Sequence, residues 1–294
     1  EGALQNLKLA KMKERNDAKL NKQTILWGAM YNYARFGSNS AFTNILSEEE
    51  LNNVTSSELM NLVRDLTSYD HRILYYGPEE INIVVELLST LHANSSNFQS
   101  TQLKTRYTEL DLYNPLVYVV DYDMKQAEVL LLSKGDILQL EDIPIIKFHN
   151  QYFGGGMSSI VFQELRESKA LAYSTYSAYS IPQDPDRSHY SISYIGTQSD
   201  KLVDAINGIS ELLNVMPESF ENMDNAKESL EQKIRTERLT KSKILSEYEK
   251  ALRMGVNYDI RKDIYDKVQD FNMKDLVDFH NSHIKKDSRV IMVL

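Results

Sequence analysis

Cysteine is absent from the 294 residues, so disulfide bridges, thiolate metal sites and a cysteine nucleophile are all excluded. This absence leaves the compartment open, because a chain without cysteine is compatible with the cytosol and the periplasm alike. No apolar run approaches the ~20 residues that are needed to cross a bilayer. We therefore expect a soluble protein with no membrane span.

Positive charge is also scarce. The 33 Lys and Arg residues are outnumbered by 42 Asp and Glu residues, which gives a net charge of −9. Because binding a phosphate backbone requires a concentration of Lys and Arg, we expect no nucleic-acid partner. Hydrophobic residues make up 42% of the chain, which is enough for a globular protein with a buried core. The length suits one large domain or two moderate ones.

The motifs of metal and serine catalysis are missing as well. The chain has neither H-E-x-x-H nor H-x-x-E-H, and it has no G-x-S-x-G elbow. Only His280 and His283 are close in sequence, and a zinc site on that helix face would need a third ligand such as Asp278 or Asp287. The alternative is that both histidines are surface or boundary residues on a short, exposed helix. We expect no metal site in this chain.

The most informative pattern runs from residue 153 to residue 174. It contains a glycine run, two serines, a Leu-Arg-Glu triplet and a Leu-Ala-Tyr triplet, at residues 154–156, 158–159, 165–167 and 171–173. The glycine run fits neither a P-loop nor a dinucleotide fingerprint. A helix C-terminus explains one glycine. Three in a row indicate backbone that must move or that a ligand approaches closely.

Arg166 and Tyr173 are the candidate functional pair in this segment. Arginine is always charged and offers a rigid fork of donors, and a phenol adds one more donor. Together they could hold a substrate carbonyl or stabilise a developing oxyanion. The alternative is a surface Arg166 paired with Glu164 or Glu167, and a Tyr173 that belongs to the core.

The first third of the chain predicts several helices and one strand. The expected elements are, in order, a long polar helix over 4–33 that stops at Gly37, two short helices opened by the capping boxes Ser47–Glu50 and Thr55–Glu58, a strand over 71–77, an apolar helix over 81–92 and a polar linker over 94–97.

A new pattern begins near Pro115. The expected elements are strands over 116–121 and 127–132, helices over 141–152 and 158–167, two further strands, a helix opened by a capping pattern at Thr197 and Asp200 and ending near Val215, and a long helical run over 217–253. In the second of the two further strands, Tyr190, Ile192 and Tyr194 alternate with Ser191 and Ser193, so one face is apolar and the other is small and polar.

The end of the chain repeats its beginning. Residues 34–39 match residues 252–257 in register, with Arg, Gly and Asn in common. Further on, residues 57–59 match residues 274–276, and residues 71–74 match residues 288–291. Both copies run long helix, Arg-x-Gly-x-Asn, short helices and strand. The alternative is a chance similarity between two helical tails.

The repeat defines the expected domains. Residues 106–294 form a nearly whole α/β domain, residues 81–105 a linker with a helix, and residues 1–80 the closing portion of a preceding copy, whose missing strands would lie upstream of Glu1. The expected fold class is α+β, with a mixed, mainly antiparallel sheet, helices packed on one face, and two homologous α/β units of which the first is incomplete.

The segment 153–174 resembles the corresponding segment of the pitrilysin family of zinc metallopeptidases, which includes the insulinases and the mitochondrial processing peptidases. In that family the segment lies in the half of the molecule that carries no metal. The resemblance extends over about residues 110–294, and the repeated tail extends it back to the N-terminus.

The resemblance implies a function. Family members have two similar halves that close around a peptide chamber, and one half carries H-x-x-E-H, a downstream Glu and the zinc. It implies that Arg166 and Tyr173 are the pair that the metal-free half contributes to the active site, where they hold the substrate backbone and assist the tetrahedral intermediate.

The same resemblance implies the partners, while the remaining site residues follow from the glycine run itself. The partners are an N-terminal catalytic half, on the same polypeptide or a separate chain, and a peptide substrate. The glycines Gly154, Gly155 and Gly156, together with Ser158, are the expected substrate-binding residues. Zinc is expected only in the missing catalytic half, because this chain lacks the ligands and the catalytic Glu, and we expect no cofactor here.

Two functions therefore stay open. The chain is the C-terminal half of a zinc metallopeptidase, not catalytic alone, or a non-catalytic partner or scaffold subunit that kept the fold and lost the chemistry.

Overall fold

The structure is a computed structural model that describes residues 1–91, 98–101 and 104–294. The chain forms two compact units, residues 1–109 and residues 110–294. The linker predicted at 94–97 lies outside the described residues.

The first unit is helical. Its helices are α1 (Gly2–Ala18), α2 (Tyr31–Phe36, preceded by a π-helical segment at Thr24–Met30), α3 (Glu48–Asn53), α4 (Ser56–Asp65) and α5 (Ile81–Leu91). The capping boxes predicted for α3 and α4 are confirmed, because the side chains of Ser47 and Thr55 accept from the backbone amides of Glu50 and Glu58. The apolar helix predicted at 81–92 is confirmed as far as Leu91.

The long helix predicted over 4–33 is wrong as one element. The amides of Lys19, Leu20 and Asn21 turn back to carbonyls three residues earlier, which closes α1. The Asn21 side chain then accepts from the amide of Thr24 at 2.9 Å and opens the next helical segment. An Asn side chain that bonds nearby backbone in this way competes with a continuing helix.

The strand predicted over 71–77 is also wrong. Residues 71–76 have no regular secondary structure. Within the described part of the first unit, the only strand-like pairing is a single bridge between Tyr69 and Gln99. A strand requires a neighbouring strand for its backbone hydrogen bonds, and none is present for this segment.

The second unit contains one mixed five-stranded sheet. Its strands are β1 (Leu116–Val119), β2 (Gln126–Ile137), β3 (Ser174–Tyr179), β4 (Ser188–Gln198) and β5 (Val290–Val293), in the order β1-β5-β2-β4-β3. Only β1 and β5 pair in parallel; the other neighbours are antiparallel. The predicted fold class, a mixed and mainly antiparallel sheet with packed helices, is confirmed.

Seven helices of the second unit are described. They are α6 (Ile143–Phe153), α7 (Ile160–Phe162, continued by a π-helical segment at Gln163–Ser168), α8 (Leu202–Asn214), α9 (Phe220–Thr236), α10 (Lys241–Arg253), α11 (Arg261–Lys267) and α12 (Met273–Phe279, continued by a π-helical segment at His280–Ile284).

Two predictions for these helices need correction. Thr197 does not cap a helix, because it belongs to β4 and its hydroxyl donates to the Leu171 carbonyl at 2.6 Å. The long helical run predicted over 217–253 is two helices separated by residues 237–240, where the backbone of Glu237 turns extended.

The core of the second unit lies between one face of the sheet and the helices. Val129, Leu131 and Ile195 point to this face and cluster with buried helical residues. Ser193 shares the face of Ile195, so the small polar side of β4 packs inward as well. Its hydroxyl lies 2.8 Å from the buried hydroxyl of Ser177 on β3, which satisfies both groups without water.

The two stretches that match in sequence share local features. Both glycines of the repeated Arg-x-Gly-x-Asn follow a helix with positive φ, 70° at Gly37 and 79° at Gly255. The capping box at Thr55 and Glu58 also has a counterpart at the matching positions, Asn272 and Asp275.

Candidate functional site

The glycine run joins α6 to α7 and lies against the outer edge of β3. The amide of Ser177 donates to the Gly154 carbonyl at 3.4 Å. A Cβ added at Gly154 would lie 2.0 Å from the Ser177 carbonyl oxygen, closer than atoms can approach. Gly154 is therefore required where two backbone segments meet, and the glycine turn covers part of an edge strand.

The other residues of the run differ in their surroundings. A Cβ at Gly155 would lie 2.8 Å from the Asn150 carbonyl oxygen, while Gly156 has a φ of 97° and is exposed. Ser158 is half-buried. Ser159 precedes α7, but its hydroxyl donates to the Gly156 carbonyl at 2.8 Å and does not cap the helix. The exposed part of the run, around Gly156 and Met157, is what a ligand could reach.

Arg166 lies on the π-helical segment that follows α7. Its guanidinium stacks on the Phe162 ring, 4.8 Å from the centroid, and lies 3.7 Å from a carboxylate oxygen of Glu167. The side chain is 47% exposed. An exposed ion pair at this distance holds a guanidinium weakly, so Arg166 can still turn its donors toward a ligand.

Tyr173 lies directly before β3, and its amide donates to the Gly196 carbonyl at 2.8 Å. The residue is 50% exposed, so it does not belong to the core. The side-chain amide nitrogen of Gln198 donates a short hydrogen bond to its hydroxyl oxygen. Because that nitrogen can only donate, the O–H of Tyr173 remains available as a donor to another group.

The structure leaves Arg166 and Tyr173 unconnected to each other. In the described parts of the chain, no hydrogen bond or cation–π contact joins them. Each has its own partner from a neighbouring element and an exposed polar end. Each polar end can therefore donate to a ligand independently of the other.

The expectation that His280 is a surface or boundary residue is wrong. His280 is fully buried, and its Nδ1 lies 3.1 Å from Nε2 of His149. Its Nε2 lies 3.2 Å from the Leu213 carbonyl oxygen. The rings of Phe153 and Phe279 pack around the two imidazoles. Sequence reasoning missed this pair because its members are 131 positions apart.

These histidines do not fit a zinc ion. Both ring nitrogens of His280 already have partners, and a zinc ligand needs a free nitrogen lone pair. Across residues 1–91, 98–101 and 104–294, no group of three or more His, Asp or Glu residues is arranged to hold a metal ion. In the same ranges, no helix is long and apolar enough to cross a membrane.

Comparison with known proteins places the chain in a family. A family model described as the peptidase M16 inactive domain matches residues 73–235, which is more than half of the chain. The uncharacterized zinc protease YmxG of Bacillus subtilis is 33% identical over 111 residues, which cover 37% of this chain and 26% of YmxG. The matched part thus spans about a quarter of that relative.

Solved structures share the fold. A peptidase M16 inactive domain from Pseudomonas fluorescens superposes with a TM-score of 0.71 at 16% identity, covering 100% of this chain and 70% of that one. A protease from Helicobacter pylori gives 0.73 at 17% identity, covering 99% and 72%. The periplasmic protease PqqL from Escherichia coli superposes with a TM-score of 0.67 at 14% identity, and the match covers 100% of this chain but only 32% of the PqqL chain.

Proposed function

Because the chain belongs to the family of peptidase M16 inactive domains, we propose that it works as the metal-free half of a zinc metallopeptidase. In this role it closes one side of a chamber that holds extended peptide. The catalytic half, on the same polypeptide or a separate one, binds the zinc and supplies the general base. The observation that carries the proposal is the exposed donor pair Arg166 and Tyr173 in the segment that resembles the pitrilysin family.

The roles of the pair follow from their contacts. Tyr173 accepts from Gln198 and keeps its O–H as a donor, and β3 fixes its backbone. Its hydroxyl is suited to bind a peptide carbonyl or an oxyanion. Arg166 rests on the Phe162 ring with its polar end exposed, so its donor fork can bind a substrate carbonyl or carboxylate.

The glycine run supports the same role. Gly156 and Met157 are exposed at the turn between α6 and α7, beside the edge strand β3. We assign the exposed end of the run, at Gly156, and the adjacent Ser158 to the substrate-facing wall, where small residues let a peptide backbone approach. Gly154 has a different duty, since its lack of a side chain is already required by the contact with Ser177.

Reconstitution tests this proposal. The chain is mixed with the catalytic half that carries H-x-x-E-H, and hydrolysis of a quenched fluorescent peptide is measured. We expect turnover only when both halves are present, with zinc held by the catalytic half alone. Equal turnover by the catalytic half without this chain would rule out a contribution to the active site and leave a partner or scaffold role.

A further inference from the structure

The second unit contains a cavity apart from the candidate site described above. Of the candidate residues, only His283 lines it. Its volume is about 480 Å³, within the range of sites for small molecules. It is lined by Asp136, Ile137, Gln139, Asp142, Ile146, Tyr179, His189, Phe279 and His283. Strand β3 begins after Tyr173 and ends at Tyr179, so the cavity lies at the other end of this strand, roughly 20 Å away.

The lining is negatively charged at neutral pH. Asp136 and Asp142 contribute two carboxylates, and the Asp136 side chain is 78% exposed at the rim. Burial lowers the pKa of both His189 and His283, so these imidazoles are neutral. An anionic ligand would therefore be repelled, and a cation would be attracted.

The lining also offers hydrogen-bond acceptors. Nδ1 of His189 lies 2.5 Å from the Ser180 carbonyl oxygen, so it carries the hydrogen and leaves Nε2 as an acceptor. Nδ1 of His283 is buried, lies 3.8 Å from a carboxylate oxygen of Asp136 and makes no hydrogen bond. A ligand with several N–H donors can satisfy these nitrogens.

Tyr179 provides an independent sign of a ligand. It is 2% exposed, yet its buried hydroxyl completes no hydrogen bond of ordinary geometry, although it lies near the Asp136 backbone. Burial raises the pKa of the Tyr179 hydroxyl, and the nearby carboxylates of Asp136 and Asp142 raise it further. A buried hydroxyl without a well-formed hydrogen bond is unfavourable, and a polar ligand in the cavity would satisfy it.

The walls of the cavity are aromatic. The ring of Tyr179 stacks on His189, with centroids 4.7 Å apart and planes 16° apart, and meets Phe279 edge-on at 5.6 Å. The ring of Phe279 in turn packs on that of His283, with centroids 4.7 Å apart. These rings pack on one another and are nearly buried, so they form a rigid wall beside the two carboxylates. Such a wall suits a guanidinium, which is planar and more weakly hydrated than an ammonium.

We propose that this cavity binds a guanidinium group, carried by an arginine residue of a peptide or by a small free molecule. A guanidinium is planar, always charged and rich in donors, which matches the two carboxylates, the acceptor nitrogens and the aromatic walls. A metal ion is a poorer match, since the described residues form no set of three ligands. An apolar ligand would leave the buried hydroxyl of Tyr179 unpaired.

Calorimetric titration of the full chain tests the proposal with four probes. These are N-acetyl-arginine amide, the neutral isostere N-acetyl-citrulline amide, N-acetyl-lysine amide and methylguanidine. We expect the arginine amide to bind at least tenfold more tightly than the citrulline amide, because only the former is charged. Tighter binding of the arginine amide than of methylguanidine would identify a peptide residue as the source, and the reverse a free molecule.

Variants locate the binding. Asp136→Asn combined with Asp142→Asn is expected to weaken arginine-amide binding at least tenfold, and Tyr179→Phe severalfold. Asp224→Asn combined with Glu228→Gln, at exposed positions of α9 that do not line the cavity, makes a matched charge change and should bind as the wild type does. Far-UV circular dichroism verifies that each variant is folded.

Several results would overturn the proposal. Equal binding of the arginine and citrulline amides by the wild type would remove the charge requirement, and equal binding of the lysine amide would remove the guanidinium requirement. Full affinity in the folded aspartate double variant would place the site elsewhere. The proposal does not depend on the proposed function, because this titration needs no catalytic half and measures no peptide hydrolysis.

Discussion

The Nε2 atom of His149 lies 3.1 Å from Nδ1 of His280, and both rings are buried. The Leu213 carbonyl can only accept, so Nε2 of His280 carries a hydrogen and its Nδ1 is an acceptor. His149 must therefore donate from Nε2. This leaves its own Nδ1 buried without a partner among the described residues. The chain of bonds requires His280 to be neutral, because its Nδ1 must accept, and burial keeps His149 neutral as well.

This pair predicts a loss of stability in mild acid. Burial lowers the pKa of His280 to about 4, and Arg289 and Lys285 add to this effect. Burial also lowers the pKa of His149 well below its usual value, with His280 and His283 adding to the effect. The unfolded chain takes up these protons near pH 6.5, and the folded chain does not. The stabilisation is therefore complete above pH 6.5 and is lost as the pH falls toward 4, by up to about 1.4 kcal/mol per pH unit and histidine.

Urea unfolding at pH 7.5, 6.5, 5.5 and 5.0 measures this slope. The variant His149→Gln removes one titrating ring, so its free energy of unfolding should fall less steeply with pH than that of the wild type. His71→Gln, at an exposed position of the first unit, serves as the control and should keep the wild-type slope. An identical slope in His149→Gln would disprove the role of the pair.

The contact between Gly154 and β3 predicts a strong effect of one methyl group. In Gly154→Ala the new Cβ would lie 2.0 Å from the Ser177 carbonyl oxygen, which is backbone and not the end of a flexible side chain, so a main-chain shift is needed. We expect a loss of about 2–3 kcal/mol in thermal or urea unfolding. Gly2→Ala, whose Cβ would meet nothing within 4 Å, should be neutral. A stable Gly154→Ala protein would show that the turn does not rest on the strand.

The capping box of α12 predicts a local effect. The Asn272 side chain accepts from the amides of Lys274 and Asp275. Asn272→Ala should lower stability by about 1 kcal/mol and speed hydrogen exchange at these two amides, while Asn272→Ser should restore most of both. If exchange at the two amides stayed at the wild-type rate, the cap would not be formed in solution.

Local signals in the sequence predicted some local structure, although the capping pattern at Thr197 failed because that residue belongs to β4. The capping boxes at Ser47 and Thr55 depend on residues within three positions, so the sequence alone was enough to place them. The strand predicted at 71–77 failed because a strand depends on a distant partner. The matching residues at 288–291 lead into β5 because that segment has β1 and β2 beside it.

The functional residues also differ in how far the sequence could predict them, according to whether they are close in sequence or come together only in the fold. Arg166 and Tyr173 stand in one short segment, so the sequence could single them out, although their exposure became visible only in the fold. The cavity brings together Asp136, His189 and His283, which come from three separate elements, and no short motif contains them. Burial also decides the charge of the two histidines, and burial cannot be read from the sequence around them.

The central claim is that Arg166 and Tyr173 act at an active site whose zinc is held by another half. In the assembled enzyme, Arg166→Ala and Tyr173→Phe should each lower kcat/KM for peptide hydrolysis by roughly one to three orders of magnitude, because each removes a donor to the transition state. Arg238→Ala and Tyr248→Phe change exposed residues of the same types and should leave kcat/KM unchanged.

Kinetics of the assembled complexes, with assembly and zinc content verified for each variant, decide whether the two residues act in the chemistry. We expect both variants to assemble normally, to bind as much zinc as the wild type and to turn over peptide at a small fraction of the wild-type rate. Wild-type kcat/KM in assembled Arg166→Ala and Tyr173→Phe complexes would contradict this expectation and would leave this chain as a partner or scaffold without a part in the chemistry.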